Sequence, residues 1–115
     1  MPRVKRVDLI TDLTQLAQKS TLQFRHSACV FEGRRVLSKG YNTQSLHAEV
    51  SAMWNSNVKA LKGKDIQVIR IGANNELRNS RPCNLCIAKL KEKGIRKVYY
   101  STDYGYIECE WVGEM

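Results

Sequence analysis

Apolar residues follow two periods along this chain, one helical and one of strand type. In a first segment they recur at helical spacing, at Leu9, Leu13, Leu16 and Ala17. Asp8 precedes this face and is a suitable N-cap for a first helix. Runs of β-branched and aromatic residues follow at 26–31 and 35–39, and the polar turn at 32–34 between them predicts a β-hairpin.

The second half of the chain predicts two helices and three strands. Ser45 has the position of an N-cap for a second helix that runs to about Asn57. A third strand is expected at 66–71, before a long polar loop at 72–81. Pro82 suits the first turn of a third helix, and Gly94 suits its C-terminal end. The last two strands are expected at 97–101 and 106–111, around a turn at 103–105.

This order of elements, α-β-β-α-β-α-β-β, predicts an α/β fold. Helices that connect the later strands favour parallel crossovers and a three-layer α-β-α sandwich with a mixed five-stranded sheet. The last connection is too short for a crossover, so the final two strands should form an antiparallel hairpin. With 115 residues, the chain suits a single domain spanning residues 1–115.

Composition favours a globular, intracellular protein. Apolar residues make up 43% of the chain and charged residues 26%. No apolar run approaches the roughly 20 residues of a membrane helix, and the basic start lacks the apolar stretch of a signal peptide. We therefore expect a cytoplasmic protein without a membrane partner, in which a close cysteine pair serves a metal or redox site more often than a disulfide.

The formal net charge of +8 favours a polyanionic partner or a phosphate-bearing substrate. The same charge can also be a solubilising surface. Much of the excess lies at residues 3–6 and 89–97, where basic residues are common in helices and tails. Charge alone therefore leaves nucleic-acid binding open.

Two short segments carry the candidate chemistry, His47-Ala48-Glu49 and Pro82-Cys83-x-x-Cys86. Each lies at the start of a predicted helix, where free N–H groups and the helix dipole favour a cysteine thiolate. Two thiolates and one imidazole would give zinc three protein ligands and leave its fourth position open for water, which is typical of a catalytic site. Glu49, in the same first turn as His47, could then move protons to and from that water.

Other interpretations apply to the cysteine pair taken alone. A Cys-x-x-Cys motif also occurs in structural zinc sites and redox pairs. A structural site needs a fourth ligand, for which the remaining residues are Cys29, Cys109 and His26. A redox pair would not need His-x-Glu, so the combined pattern favours the catalytic interpretation.

These residues resemble the signature of the zinc cytidine deaminase-like superfamily, H-x-E followed by P-C-x-x-C. Gly40-Tyr41-Asn42 and the segment 93–99 are also similar to the family pattern. The resemblance implies that His47, Cys83 and Cys86 bind Zn²⁺, that Glu49 is the catalytic proton shuttle and that Asn42 binds substrate. It also implies hydrolysis of a cytosine moiety to uracil.

The remaining expectations concern the substrate. Loops beyond the carboxyl ends of parallel strands should converge near the metal. A base could stack on an aromatic side chain there, and an arginine could meet a phosphate. The candidate substrate contacts are Phe24, Arg25, His26, Asn42, Ala48, Arg81 and Tyr104.

Three hypotheses for function remain. We favour a free (deoxy)cytidine or its nucleotide as substrate, because the chain is short. A cytosine in single-stranded DNA or RNA is the alternative, and a non-catalytic zinc-binding nucleic-acid module is the rival from another class. A homo-oligomer is compatible with each.

Overall fold

The computed structural model describes residues 2–22, 24–43, 47–54 and 61–115. Its helices are α1 (Pro2–Ala17), α2 (Ala48–Trp54) and α3 (Asn84–Lys93). Its strands, in chain order, are β1 (Arg25–Glu32), β2 (Arg35–Tyr41), β3 (Asp65–Ile71), β4 (Leu77–Arg78), β5 (Lys97–Ser101) and β6 (Ile107–Trp111). A 3-10 turn follows at Val112–Glu114. No helix in these ranges combines the length and hydrophobicity of a membrane span.

The strands form one mixed sheet in the order β2-β1-β3-β5-β6. β1 is antiparallel to both β2 and β3, and the connection through α3 makes β3 and β5 parallel. β5 and β6 are antiparallel, which confirms the predicted final hairpin. β4 is a two-residue strand that pairs with the end of β3.

Two apolar clusters cover the two faces of the sheet, as a three-layer fold requires. One joins Leu13 and Ala17 of α1 to Cys29, Ile69 and Tyr99, among others. The other packs residues of α2 and α3 on the opposite face, at Ala28, Val68, Ala52, Leu90 and Val98, among others. Both helices that start at the candidate chemistry therefore lie on the same face.

Three expected helix boundaries differ from the structure or lie outside it. α1 begins at Pro2, so Asp8 is inside this helix and does not cap it. Proline lacks the N–H that a first-turn residue leaves unpaired, which suits this earlier start. α2 is described from Ala48 to Trp54, and the expected cap Ser45 and end near Asn57 lie outside the described residues.

α3 starts two residues later than expected. Cys83 has extended backbone angles, φ −72° and ψ 168°, and occupies the N-cap, so Pro82 precedes the helix. Gly94 ends it in the left-handed region, with φ 73°, as predicted. Because α3 starts after Cys83, this residue lies at the exposed helix entrance and Cys86 lies one turn inside.

The segment 72–81, expected to be a loop, contains β4. The Gly72 N–H donates to the Glu76 carbonyl at 2.8 Å, and Asn75 has φ 63°, so the chain reverses and returns along β3. A two-residue strand is too short to show an alternating pattern.

Candidate active site

The two chemical segments meet where α2 and α3 begin. His47 directly precedes α2, and its carbonyl accepts the Ser51 N–H at 2.9 Å. The Cys83 carbonyl accepts the Ile87 N–H at 2.9 Å in the same manner at α3. Each residue therefore holds a fixed position at a helix start, as the sequence predicted.

The ligand atoms of His47, Cys83 and Cys86 all lie within 4.8 Å of one another. The His47 Nδ1 is 3.1 Å from the Cys86 Sγ and 3.7 Å from the Cys83 Sγ. Tetrahedral zinc at ordinary bond lengths separates such nitrogen and sulfur atoms by about 3.5 Å. The donor set and its spacing thus fit a zinc ion, with small movements of the Cys86 side chain.

The protonation of Cys86 depends on what surrounds it. Burial, and then the neighbouring Glu49 carboxylate, raise the pKa of the Cys86 thiol. A bound divalent cation would oppose both effects, because a coordinating thiol is deprotonated.

Glu49 is buried beside the ligand set, with 4% of its surface exposed. Burial raises the pKa of its carboxyl, while a hydrogen bond from its own backbone N–H and then the nearby His47 and Cys86 lower it to a smaller extent. A raised pKa brings a carboxyl closer to neutral pH, where it can both accept and release a proton.

A cavity of about 610 Å³ opens in front of these residues. Its wall includes His47, Cys83 and Glu49 together with five of the predicted substrate contacts, Phe24, His26, Asn42, Ala48 and Arg81. Sequence reasoning missed three further wall residues, Leu22, Thr43 and Ser80. The volume is within the range of ordinary small-molecule sites.

The structure does not bring the other two predicted contacts into this wall. The Arg25 guanidinium turns away and donates to the Gly72 carbonyl at 2.6 Å. Successive strand residues point to opposite faces, so Arg25 and His26 cannot both face the cavity. Tyr104 is 85% exposed in the β5–β6 turn, where its ring stacks on Tyr106.

Asn42 closes the cavity at the end of the β1–β2 hairpin. Its Oδ1 accepts the His26 backbone N–H at 2.8 Å, and its Nδ2 donates to the Phe24 carbonyl at 2.6 Å. An amide group has two donors and two acceptor lone pairs, so one donor and one acceptor site remain for a ligand. Asn42 therefore fixes the mouth and retains capacity to bind.

Arg70, which the sequence analysis did not select, contacts Phe24, a residue of the cavity wall. Its guanidinium lies 4.4 Å from the Phe24 ring centroid, a cation–π distance. His26 pairs with Arg70 across the sheet. Burial, and to a smaller extent the Arg70 charge, lower the pKa of His26, which favours a neutral imidazole.

Arg81 is held in the cavity wall by acidic and aromatic neighbours. Its Nε donates to the Glu110 carboxylate at 2.8 Å and its Nη2 at 3.3 Å. The Tyr100 hydroxyl donates to the same carboxylate at 2.6 Å. Glu110 thus neutralises much of the Arg81 charge next to Pro82 and Cys83.

Ser80 anchors the segment that precedes the cysteine pair. Its Oγ donates to the Val68 carbonyl at 2.9 Å and accepts the Ser101 N–H at 2.8 Å, and its own N–H donates to the Ser101 carbonyl. These bonds connect the segment to β3 and β5. No sequence motif marks this role, because it depends on pairing between distant residues.

Comparison with known proteins agrees with this geometry. A profile of the cytidine and deoxycytidylate deaminase zinc-binding region matches residues 5–102. Among curated protein sequences, none matches the chain.

Several solved structures share the fold. A dCMP deaminase from the cyanophage S-TIM5 is 19% identical, with 87% of this chain and 83% of that chain covered and a TM-score of 0.65. A cytidine deaminase from Burkholderia pseudomallei is 18% identical, with 94% and 93% covered and a TM-score of 0.73. The family profile spans most of the sequence, and the His47, Cys83 and Cys86 donors suit the zinc that its name specifies. This chain belongs to the cytidine and deoxycytidylate deaminase family.

Proposed function

We propose that this protein hydrolyses the amino group of a cytosine base in free (deoxy)cytidine or its nucleotide, giving uracil and ammonia. One observation carries the proposal: a single cavity wall contains His47 and Cys83, two of the three candidate zinc ligands, together with the buried carboxyl of Glu49. Two of the solved structures with this fold are a cytidine deaminase and a dCMP deaminase crystallised with dCMP and dUMP. We also propose that residues 1–115 act as a single domain, because one sheet carries both apolar clusters.

His47, Cys83 and Cys86 are the proposed zinc ligands, and a bound zinc supplies Lewis-acid activation of the attacking water. The Glu49 carboxylate would take one proton from the attacking water and give it to the ring nitrogen, and would then take the proton of the hydroxyl formed on the ring carbon and give it to the leaving amine. The water oxygen forms a bond to the ring carbon that carries the amine, the carbon–nitrogen bond breaks and ammonia leaves. Burial of Glu49 favours this role, because it raises the pKa of the carboxyl and so stabilises its protonated form.

The other residues of the wall position the substrate. Phe24 offers a ring on which the base or sugar can pack, and Asn42 offers one donor and one acceptor. His26, held neutral, can hydrogen-bond without adding charge. Arg81 can reach a phosphate only in competition with Glu110, which favours a nucleoside over its nucleotide.

The test is a deamination screen of cytidine, deoxycytidine, their monophosphates and a cytosine-bearing oligonucleotide, with ammonia release as readout. Glu49→Gln should lower kcat by about 10²- to 10⁴-fold and leave bound zinc unchanged. Glu76→Gln is the matched control, since Glu76 is an exposed carboxylate outside the cavity wall. Full activity in Glu49→Gln would contradict the proposed role.

The same screen separates the alternatives. Turnover of the oligonucleotide alone would favour a cytosine deaminase of single strands. One zinc per chain without turnover of any substrate would favour a non-catalytic zinc module.

A further inference from the structure

Exposed positive charges without an ion-pair partner lie at one end of the sheet in the described residues, and the cavity lies at the other end. The cavity lies beyond the start of β1 and the ends of β2, β3 and β5, as the alternating strand directions require. The opposite end, which we name the basic end, carries the side chains Arg34, Arg35, Lys62, Lys64, Lys93, Arg96 and Lys97.

Backbone contacts place the segments of the basic end together. The Gly63 N–H donates to the Gly94 carbonyl at 2.8 Å, and the Arg96 N–H donates to the Lys64 carbonyl at 2.8 Å. The β1–β2 turn joins them, because the Lys64 Nζ lies 2.9 Å from the Glu32 carboxylate. The basic end is therefore one continuous surface.

Four of its cations are exposed and make no ion pair within the described ranges, namely Arg34, Arg35, Lys62 and Lys93. Lys64 and Arg96 are paired with Glu32 and Asp65. Lys97 places its Nζ 4.4 Å from the Trp111 ring centroid. A surface with several unpaired cations attracts polyanions.

The cavity end differs, because its arginines are mostly engaged. Arg78 pairs with Glu76, Arg81 pairs with Glu110, and Arg25 donates to a carbonyl. The net charge of +8 is thus not concentrated at the mouth of the cavity.

We propose that the basic end binds the phosphate backbone of a single-stranded nucleic acid, at a surface separate from the cavity. In sheet order the cations run from Arg35 on β2 to Lys97 on β5, and Trp111 on β6 follows them. Four strand spacings make a row about 19 Å long. Trp111, 48% exposed at the end of this row, can stack a base, as aromatic side chains do in single-strand sites.

A membrane surface suits these observations less well. Binding in the membrane interface needs apolar side chains that insert beside the cations. Among the described residues at this end, the exposed large apolar side chains are Val36 and Trp111 only, too few to insert.

The test uses zinc-loaded full-length protein and a fluorescent oligo-dT, which contains no cytosine. Anisotropy should show binding that weakens about 50-fold between 50 and 200 mM salt, as four phosphate contacts on a single strand imply. Arg34→Glu combined with Lys62→Glu should weaken binding at least 10-fold, and Trp111→Ala at least about 5-fold. Deamination of free nucleoside should be unchanged in the double variant.

The control is Lys19→Glu combined with Arg78→Glu, which changes the net charge equally at exposed sites outside the basic end. An equal loss of binding in both double variants would overturn the proposal, because total charge would then decide. Competition between oligo-dT and free nucleoside for the cavity would also overturn it. So would binding to phosphatidylserine vesicles without binding to oligo-dT. The oligo-dT and vesicle titrations do not depend on whether the cavity deaminates cytosine, whereas the competition and deamination measurements rest on the proposed function.

Discussion

Removal of the Ser80 hydroxyl should weaken zinc binding, although Ser80 is not a candidate ligand and precedes Cys83 by three residues. Ser80 is 3% exposed, and its Oγ joins the Val68 carbonyl and the Ser101 N–H. In Ser80→Ala the hydrogen bonds to the Val68 carbonyl, the Ser101 N–H and the Ser101 Oγ are lost, at about 0.5–1.5 kcal/mol each, and the buried Ser101 N–H is left without this partner. We expect a total loss of about 2–3 kcal/mol, or a decrease in Tm of about 10 °C for a domain of this size.

The Ser27→Ala variant provides a matched control. Ser27 is also fully buried, but its Oγ makes a single bond to the Leu13 carbonyl of α1, on the other face of the sheet. Its loss should be about 1 kcal/mol. Zinc retention should not change in this variant, because α1 does not contribute a ligand.

Thermal unfolding and chelator-induced zinc release together measure both effects. In Ser80→Ala, zinc affinity should fall about 10-fold, since groups that support metal ligands commonly have effects of 10- to 100-fold. The reasoning would be refuted if Ser80→Ala and Ser27→Ala lost equal stability and released zinc at the same rate.

Three further outcomes are expected. Cys83→Ala should purify with much less than one zinc per chain by elemental analysis, whereas Cys109→Ala, an exposed cysteine outside the cluster, should retain its metal. Hydrogen bonds from Arg81 and Tyr100 lower the pKa of the Glu110 carboxyl in the folded protein. Its contribution to stability is therefore present above the ordinary carboxyl pKa and is lost as the pH falls through the folded-state pKa. In urea unfolding, Glu110→Gln should destabilise the protein more at pH 7 than at pH 3. Arg70→Met should free the Phe24 ring and raise KM several-fold with little change in kcat, and an equal loss in kcat would contradict a purely supporting role.

The elements and the grouping of the candidate metal ligands were predictable because their signals are local. The strand at Lys97–Ser101 and the helix end at Gly94 were found at their observed positions. His47, Cys83 and Cys86 come together because each lies at a helix start on one face of the sheet, which follows from the element order. Boundaries that depend on capping geometry were less predictable: α3 starts two residues later than expected, after Cys83, and α1 starts at Pro2, well before the expected cap Asp8.

The residues that support the site were not predictable, since their partners are distant in sequence. Ser80 meets Ser101 only after β3 and β5 pair, and Arg70 meets Phe24 only after β1 and β3 pair. The alternation of a strand already separates Arg25 from His26, so the sequence alone could have favoured one of this pair for the cavity wall.

The distribution of charged side chains in the fold shows why the net charge alone does not identify the substrate. A net charge of +8 made a nucleic-acid substrate plausible, on the assumption that the excess surrounds the active site. In the fold, Glu110 and Glu76 engage the arginines nearest the cavity, while unpaired cations collect at the far end of the same strands. The cavity can therefore select a small substrate of low charge even though the protein as a whole is strongly basic. If nucleic acid binds this protein, its phosphates should meet the basic end, and a salt-sensitive complex would say nothing about which base is deaminated.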